Sequence, residues 1–192
     1  MNPQKQYKEM EANYEKMLQD SNRIKNYIKG DIASLDEDTL TKKENEKKWS
    51  ALEVVEHLNK VYDVYLDNFR NAIDAADDLP QNETPQMRRT LLGRLSIYTN
   101  RPKGKKRRFK MKTFDFFRPA VTPEHLHGTL ETYLRNKETF NDLIKDARTK
   151  NLKNVKVPTA LGEKVKFFIP ECFEFLLVHE ERHMIQIAEA IA

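Results

Sequence analysis

Helical periodicity is the sequence feature that most limits the fold of this chain. In residues 51–78, apolar side chains recur every three or four positions, which is the spacing of one face of an α-helix. Ser50 and Glu53 form a capping-box pattern directly before this segment. The chain has only five glycines, which suits long helices better than a turn-rich sheet. Three further long amphipathic segments are present, at residues 4–29, 122–147 and 170–192.

Four such segments predict an all-α protein, an antiparallel four-helix bundle with a long crossover between helices 2 and 3. We expect residues 1–192 to form a single domain with a basic connecting segment at about 99–118. Three smaller features are predicted from local turn and capping residues. They are a short helical turn capped by Ser34 and Glu37, a short helix from Thr84-Pro85 through Leu95, and a hairpin around Val155 to Phe168; Thr122-Pro123 is predicted to cap the third long helix.

Composition favours a soluble protein of the cytoplasm. The N-terminus has no apolar signal core, and no stretch approaches the roughly 18 apolar residues of a membrane span. The one cysteine, Cys172, cannot form an internal disulfide, which agrees with a reducing compartment and excludes a Cys-rich zinc site. No basic residue lies beside it in sequence, so a buried structural thiol is the favoured interpretation.

The positive charge of the chain is concentrated in one segment. Residues 101–112 hold eight Lys or Arg and no acid, and the rest of the chain then carries 26 bases against 30 acids. Cations mixed with aromatics are typical of nucleic-acid binding, but no recognition motif accompanies them. We therefore favour a solvated connecting strap. An intermediate possibility is that the strap borders a cleft of the bundle and attracts an anionic thiol or substrate. Four aromatic residues are expected to pin it onto the bundle, namely Phe109, Phe114, Phe116 and Phe117.

Two histidines near the C-terminus suggest a metal site. His179-Glu180-Glu181-Arg182-His183 matches H-E-x-x-H, which places both rings on one face of a helix. Zinc proteases with this motif usually take their third ligand from downstream, and this chain ends nine residues after His183. The protease interpretation is therefore disfavoured, and a third ligand has to come from upstream. A catalytic zinc usually has three protein ligands and one open position.

His57, His125 and His127 are the upstream candidates for the third ligand. At 100° per residue, His179 and His183 fall about 80 to 120° to one side of the apolar face of their helix. His57 falls similarly to one side of its own apolar stripe, so these rings can face each other across a cleft. We prefer His57 and keep His125 in reserve, since His125 and His127 point in roughly opposite directions.

Two motifs resemble the DinB-like (DinB/YfiT) superfamily. One is W-S-x-x-E-V-x-x-H-L at residues 49–58, and the other is H-x-x-x-H-x-x-Q-I at residues 179–187. The order of segments is similar over essentially the whole chain. The resemblance implies a four-helix bundle with a divalent metal, reported as nickel, zinc or iron, held by His57, His179 and His183. It also implies a thiol-dependent transferase or isomerase that uses bacillithiol, mycothiol or glutathione, and dimers are common.

The residues next to these histidines can support chemistry. Glu180 falls on the apolar face about 60° from His183, where a carboxylate can act as general base or orient a ring. Glu53 lies one turn before His57 and can either hold its free ring nitrogen or serve only as the capping residue. Gln186 lies one turn after His183, near the site but not as a ligand. Glu180 is thus the predicted catalytic residue, with Glu53 and Gln186 as supporting residues.

Three functions are compatible with these features. The first is a metal-dependent enzyme, of the thiol S-transferase or hydrolase type, that acts on a small molecule with a low-molecular-weight thiol as cosubstrate. The second is a metal-binding bundle with a stress or regulatory role and no turnover. The third is a nucleic-acid-binding bundle that uses residues 101–112. We favour the first, with a small-molecule substrate, a homodimer as the family suggests, and neither nucleic acid nor membrane as a partner.

Overall fold

The computed structural model describes residues 3–83, 85–109, 112–120 and 125–192, with side chains from residue 13 onward except those of 126 and 127. Helices dominate this part of the chain. The long helices are α1 Pro3–Tyr27, α3 Ala51–Asp74, α5 Leu126–Ala147 and α6 Ile169–Ile191. The shorter elements are a π-helical turn Ile28–Ile32, α2 Glu37–Thr41, α4 Leu91–Asn100, a 3₁₀ turn Asp115–Phe117, β1 Lys156–Thr159 and β2 Gly162–Phe168.

The four long helices share one apolar core. Helices α1 and α3 each contact both α5 and α6, and α4 lies against α6. Aromatic residues from α3, α5 and α6 meet at its centre, where the Phe69 and Phe173 rings pack edge to face with their centroids 4.9 Å apart. Burial of these rings removes large apolar areas from water, which is the main stabilisation of the fold.

A two-stranded sheet joins α5 to α6. Strands β1 and β2 pair antiparallel, with Lys156 opposite Phe168 and Gly162 in the left-handed region at the turn. The predicted hairpin is therefore confirmed, and the description "all-α" was incomplete. The protein is mostly helical, with a small sheet. None of the described helices is long and apolar enough to cross a membrane.

Helix α3 starts where the capping-box pattern predicted. The Ser50 hydroxyl accepts the Glu53 backbone N–H at 3.2 Å, and the Glu53 carboxylate accepts the Ser50 N–H at 2.9 Å. The helix ends at Asp74, four residues before the predicted end. The segment after α3 instead forms a backbone hydrogen bond with the segment after α5. The Leu79 N–H donates to the Thr149 carbonyl at 2.8 Å.

The crossover helix lies later in the chain than predicted. Its first residue is Leu91, and Thr90 caps it by accepting the Gly93 N–H at 2.9 Å. The Thr90 backbone N–H donates in turn to the Glu171 carboxylate at 2.6 Å, which ties the start of α4 to α6. A side chain at Gly93 would collide with that carboxylate, since an added Cβ would lie 2.0 Å from Glu171 Oε1.

Two other predicted caps have different outcomes. Asp36, not Ser34, caps α2, because its carboxylate accepts the Thr39 N–H at 2.8 Å. The Ser34 hydroxyl donates to the Asp31 carbonyl at 3.1 Å and closes the preceding turn. The predicted cap at Thr122-Pro123 lies outside the described residues, and α5 begins at Leu126.

Only one of the four predicted aromatic pins holds the connecting segment in place. Phe117 is 7% exposed, whereas Phe109, Phe114 and Phe116 are 46%, 62% and 73% exposed. Phe117 therefore anchors the crossover against α3 close to His57.

Candidate metal centre

Three histidines from two helices converge at one point. His57 lies in the second turn of α3, and His179 and His183 lie one turn apart on α6. One ring nitrogen from each lies within 4.8 Å of the other two. The ring centroids are 4.5 Å apart for His179 and His183 and 4.7 Å apart for His57 and His183. The three side chains can therefore hold a metal ion.

The ring of His57 is oriented by the crossover. Its Nδ1 lies 2.9 Å from the backbone carbonyl oxygen of Phe117. A carbonyl oxygen only accepts, so Nδ1 carries the proton and donates it. The lone pair of the neutral ring is then on Nε2, the nitrogen left for a ligand. Metal-binding histidines are commonly oriented in this way, with the second ring nitrogen held by a carbonyl or carboxylate.

His183 is oriented in the same sense by its own helix. Its Nδ1 lies 3.1 Å from Gln186 Oε1, an acceptor, which again leaves the lone pair on Nε2. That Nε2 lies 3.2 Å from Nε2 of His179. Within the described part of the chain, Nδ1 of His179 is buried and has no hydrogen-bond partner. The Nε2 atoms of His179 and His183 thus face each other, whereas Nδ1 of His179 does not take part in this contact.

The electrostatic environment favours neutral imidazoles. Burial lowers the pKa of His57, and the hydrogen bond to Phe117 offsets this in part. Burial, followed by the neighbouring histidines and Arg182, lowers the pKa of His179 and His183 well below the ordinary value. A metal ion needs the unprotonated ring, so the cluster is in its ligand form at neutral pH without loss of a proton.

The stability of the metal-free protein should fall as the pH drops below about 6.5, the ordinary histidine pKa. The unfolded chain protonates these rings there, whereas the folded chain keeps them neutral, so acid favours unfolding. For each histidine that stays neutral in the folded chain, the unfolding free energy should fall by about 1 kcal/mol as the pH drops from 6.5 to 5.5. Urea unfolding of chelator-treated protein at several pH values measures this slope.

Replacing His183 by Gln should reduce that pH dependence, because one low-pKa group is removed. Replacing His125, which is exposed and outside the cluster, should leave it unchanged. Equal slopes in the wild type and the His183→Gln variant would contradict the prediction.

Aromatic side chains surround the three rings. Trp49 and Phe117 lie beside His57, with ring centroids 5.1 and 6.3 Å away, and Phe175 stacks on His179 at 5.8 Å. His57 and His183 are buried, whereas His179 is half-buried. The cluster is therefore surrounded by an apolar wall that limits water, and it is reached most directly at His179.

Of the two predicted supporting residues, Gln186 contacts a histidine of the cluster and Glu53 does not hold one. Gln186 bonds to His183, as described above. Glu53 forms the capping box and accepts from Lys43 at 3.0 Å, while the ring nitrogen of His57 that Glu53 could have held bonds to Phe117. The supporting contact to His57 thus comes from a backbone carbonyl, which has no side-chain signature in a sequence.

Glu180 is buried, 2% exposed, in a separate polar cluster. Its Oε1 accepts from the Tyr62 and Tyr133 hydroxyls at 2.7 and 2.6 Å, and its Oε2 accepts from Lys137. Lys137 is fully buried on α5, and burial lowers its pKa. The catalytic role of Glu180 remains a prediction, and its carboxylate is already engaged by three donors.

Sequence reasoning missed Lys137. A signal was present, because Lys137 lies in the apolar stripe of α5 with Tyr133, Phe140 and Ile144 at helical spacing. A lysine in such a stripe is rarely buried without an acidic partner, and α6 offers one in Glu180.

The described side chains of His125 and Cys172 lie outside the histidine cluster. His125 is exposed and lines a surface pocket of about 370 Å³ with Glu56 and Asn59. The side chain of His127 is outside the described set. Cys172 is fully buried, as predicted, and burial raises the pKa of its thiol. Cys172 is therefore a poor candidate for a reactive thiolate.

Comparison with known proteins identifies the family. A family model of the DinB superfamily matches residues 32–187. No curated protein and no solved structure matches the chain. The matched region includes His57, His179 and His183 and covers well over half of the sequence, so this chain belongs to the DinB superfamily.

Proposed function

We propose that His57, His179 and His183 bind one divalent metal ion and that the protein is a metal-dependent enzyme acting on a small molecule. The long helices α1, α3, α5 and α6 would form the antiparallel four-helix bundle around it. The observation that carries the proposal is the convergence of three imidazoles within 4.8 Å, one from α3 and two from α6.

The donor set fits such an ion. Two of the three rings present an unprotonated Nε2, because their Nδ1 atoms face Phe117 and Gln186 acceptors. Nitrogen ligands suit nickel, zinc and iron, so the histidines alone do not select among them. Three protein ligands, with no fourth side chain in the group among the described residues, are the pattern of a catalytic site rather than a closed structural one.

When bound, the ion would act as a Lewis acid that lowers the pKa of water or of a thiol. The chain itself would supply the rest. Phe117 and Gln186 fix the orientation of two rings, and the Trp49 and Phe175 rings exclude water and offer an apolar surface to a substrate. These features support transfer of a small thiol to an electrophile, or hydrolysis, as the reaction type.

Elemental analysis of the purified protein tests the metal site. We expect about one metal ion per chain in the wild type and its loss in the His57→Ala and His183→Ala variants, with the helical signal in circular dichroism retained. His125→Ala is the matched control, since His125 is a histidine outside the cluster, and it should keep the metal. Absence of metal from the wild type, even after loading with nickel and zinc, would contradict the proposal.

A second experiment separates an enzyme from a non-catalytic metal protein. Metal-loaded protein is assayed with a panel of thiols and electrophiles and with hydrolysable esters and amides. Turnover that disappears in His57→Ala supports the enzyme. Stoichiometric metal, unfolding on chelation and no turnover with any of these substrates would support the non-catalytic alternative.

A further inference from the structure

An arginine cluster lies where the basic strap, residues 101–109, crosses α6. Arg182 of α6 is only 6% exposed, and its Nη2 donates to the backbone carbonyl of Phe109. Its other terminal nitrogen, Nη1, is buried and has no hydrogen-bond partner in the described part of the chain. A buried charged donor without an acceptor is costly, so this atom is an unexplained feature of the fold.

Positive charge exceeds negative charge at this point. Arg107 of the strap pairs with Glu189 of α6, which lies two turns after Arg182 on the same side of the helix. Arg108 lies over the Tyr98 ring at 4.4 Å, and its Nε is also buried and unpartnered among the described residues. In the described structure neither Arg182 nor Arg108 forms an ion pair with a carboxylate, and the charge of Arg182 is offset only at longer range, by Glu189.

Guanidinium groups bind oxyanions well. Their planar N–H donors match carboxylate and phosphate oxygens in pairs, and charge-assisted bonds of this kind are about twice as strong as neutral ones. Two guanidinium groups without a direct carboxylate partner suit a group that carries two negative charges.

The strap is tied to α6 by the Arg101–Glu174 and Arg107–Glu189 ion pairs, but parts of it are open to solvent. The Phe109 side chain is 46% exposed, and the turn at Lys103–Lys106 is open to solvent. Displacing the strap from α6 at this point would break the hydrogen bond between Arg182 and the Phe109 carbonyl. An anion would therefore bind beside that carbonyl with the strap in place, where it gains the Nη1 donor of Arg182 that has no partner in the described part of the chain.

We propose that Arg182, Arg107 and Arg108 form a binding site for a small doubly charged oxyanion, a phosphate monoester or a dicarboxylate, between α6 and the strap. Arg182 and His183 are successive residues of α6, so their side chains point about 100° apart and the anion would bind on the neighbouring side of that helix. The strap then has a role in binding.

Calorimetric titration of chelator-treated protein tests this site without any metal. The probes are inorganic phosphate and malonate, each compared with potassium chloride at equal ionic strength. We expect at least one of the two probes to bind at one site per chain. The probe that binds more tightly indicates whether the site prefers a phosphate or a dicarboxylate. Arg182→Gln should weaken binding about 10-fold or more, since it removes a charged donor pair.

Two variants make the result specific. Arg107→Gln changes a half-exposed residue and should fold even if Arg182→Gln does not, and it should also weaken binding, because Glu189 then repels the anion. Arg94→Gln removes an exposed charge from the neighbouring helix α4 and should have no effect.

Three outcomes would overturn the proposal. The first is no binding of either probe beyond the chloride control. The second is an equal loss in Arg94→Gln and Arg182→Gln, which would indicate diffuse attraction by the strap. The third is binding of an oligonucleotide but not of the small anions, which would indicate a nucleic-acid surface. Because no metal is present, none of these outcomes bears on the metal site.

Discussion

Glu180→Gln should destabilise the protein by about 3–5 kcal/mol, because it leaves the fully buried Lys137 without its counter-charge. The carboxylate of Glu180 is the acceptor for Lys137 and for two tyrosine hydroxyls, and neither Glu180 nor Lys137 is more than 2% exposed. Urea unfolding followed by circular dichroism measures the change in unfolding free energy. The pair joins α5 to α6, so its loss should loosen the packing between these two helices.

The adjacent residue provides the matched control. Glu181 pairs with Arg23 at 2.6 Å, but the two side chains are 30% and 61% exposed. Glu181→Gln should therefore cost less than about 1 kcal/mol. Equal costs for the Glu180 and Glu181 variants would show that the buried pair contributes nothing beyond a surface pair.

A double variant separates a structural role of Glu180 from a catalytic one. Lys137→Met combined with Glu180→Gln removes both buried charges and should recover most of the lost stability. If Glu180 acts only on the fold, turnover should return with stability. If turnover stays lost in the refolded double variant, the carboxylate takes part in the chemistry, as the sequence predicted.

Metal should raise the unfolding free energy by about 4 kcal/mol at a concentration 1,000 times the dissociation constant. His57 and His179 are separated by more than half of the chain, so the unfolded state has no assembled site and the ion binds only the folded form. For a protein of this size, that corresponds to a rise in Tm of about 8–16 °C. Thermal unfolding with and without nickel or zinc measures it.

The increment should vanish in His57→Ala and persist in His125→Ala. A fall in Tm on adding metal would mean that the unfolded chain binds it better than the folded one. An undiminished increment in His57→Ala would place the ion elsewhere. Either result would count against the histidine cluster as the metal centre.

Local sequence signals located the long helices and the histidine cluster well. Ser50 and Glu53 fixed the start of α3, and the i, i+4 spacing of His179 and His183 placed both rings on one face of α6. His57 could be selected because its angle on its own helix matched theirs. These inferences depend on contacts within a single helix or on the periodicity of a whole segment. Both can be recognised in the sequence alone.

Contacts between distant segments were harder to predict. Thr84-Pro85 and Thr90 are both reasonable helix starts, and the choice of Thr90 depends on Glu171, which lies 81 residues later. Phe117 supports His57 through a backbone carbonyl, and any residue could supply that group. Lys137 and Glu180 find each other only after α5 and α6 have packed together. Each of these features is decided by tertiary packing.

Trp49 adds a practical property to the site. It is the only tryptophan of the chain, and its ring centroid lies 5.1 Å from that of His57. Intrinsic fluorescence excited at the indole band therefore arises from a single position at the wall of the histidine cluster. The protein has its own optical reporter, and occupancy of the cluster and loss of the surrounding structure can be followed by one signal without any added label.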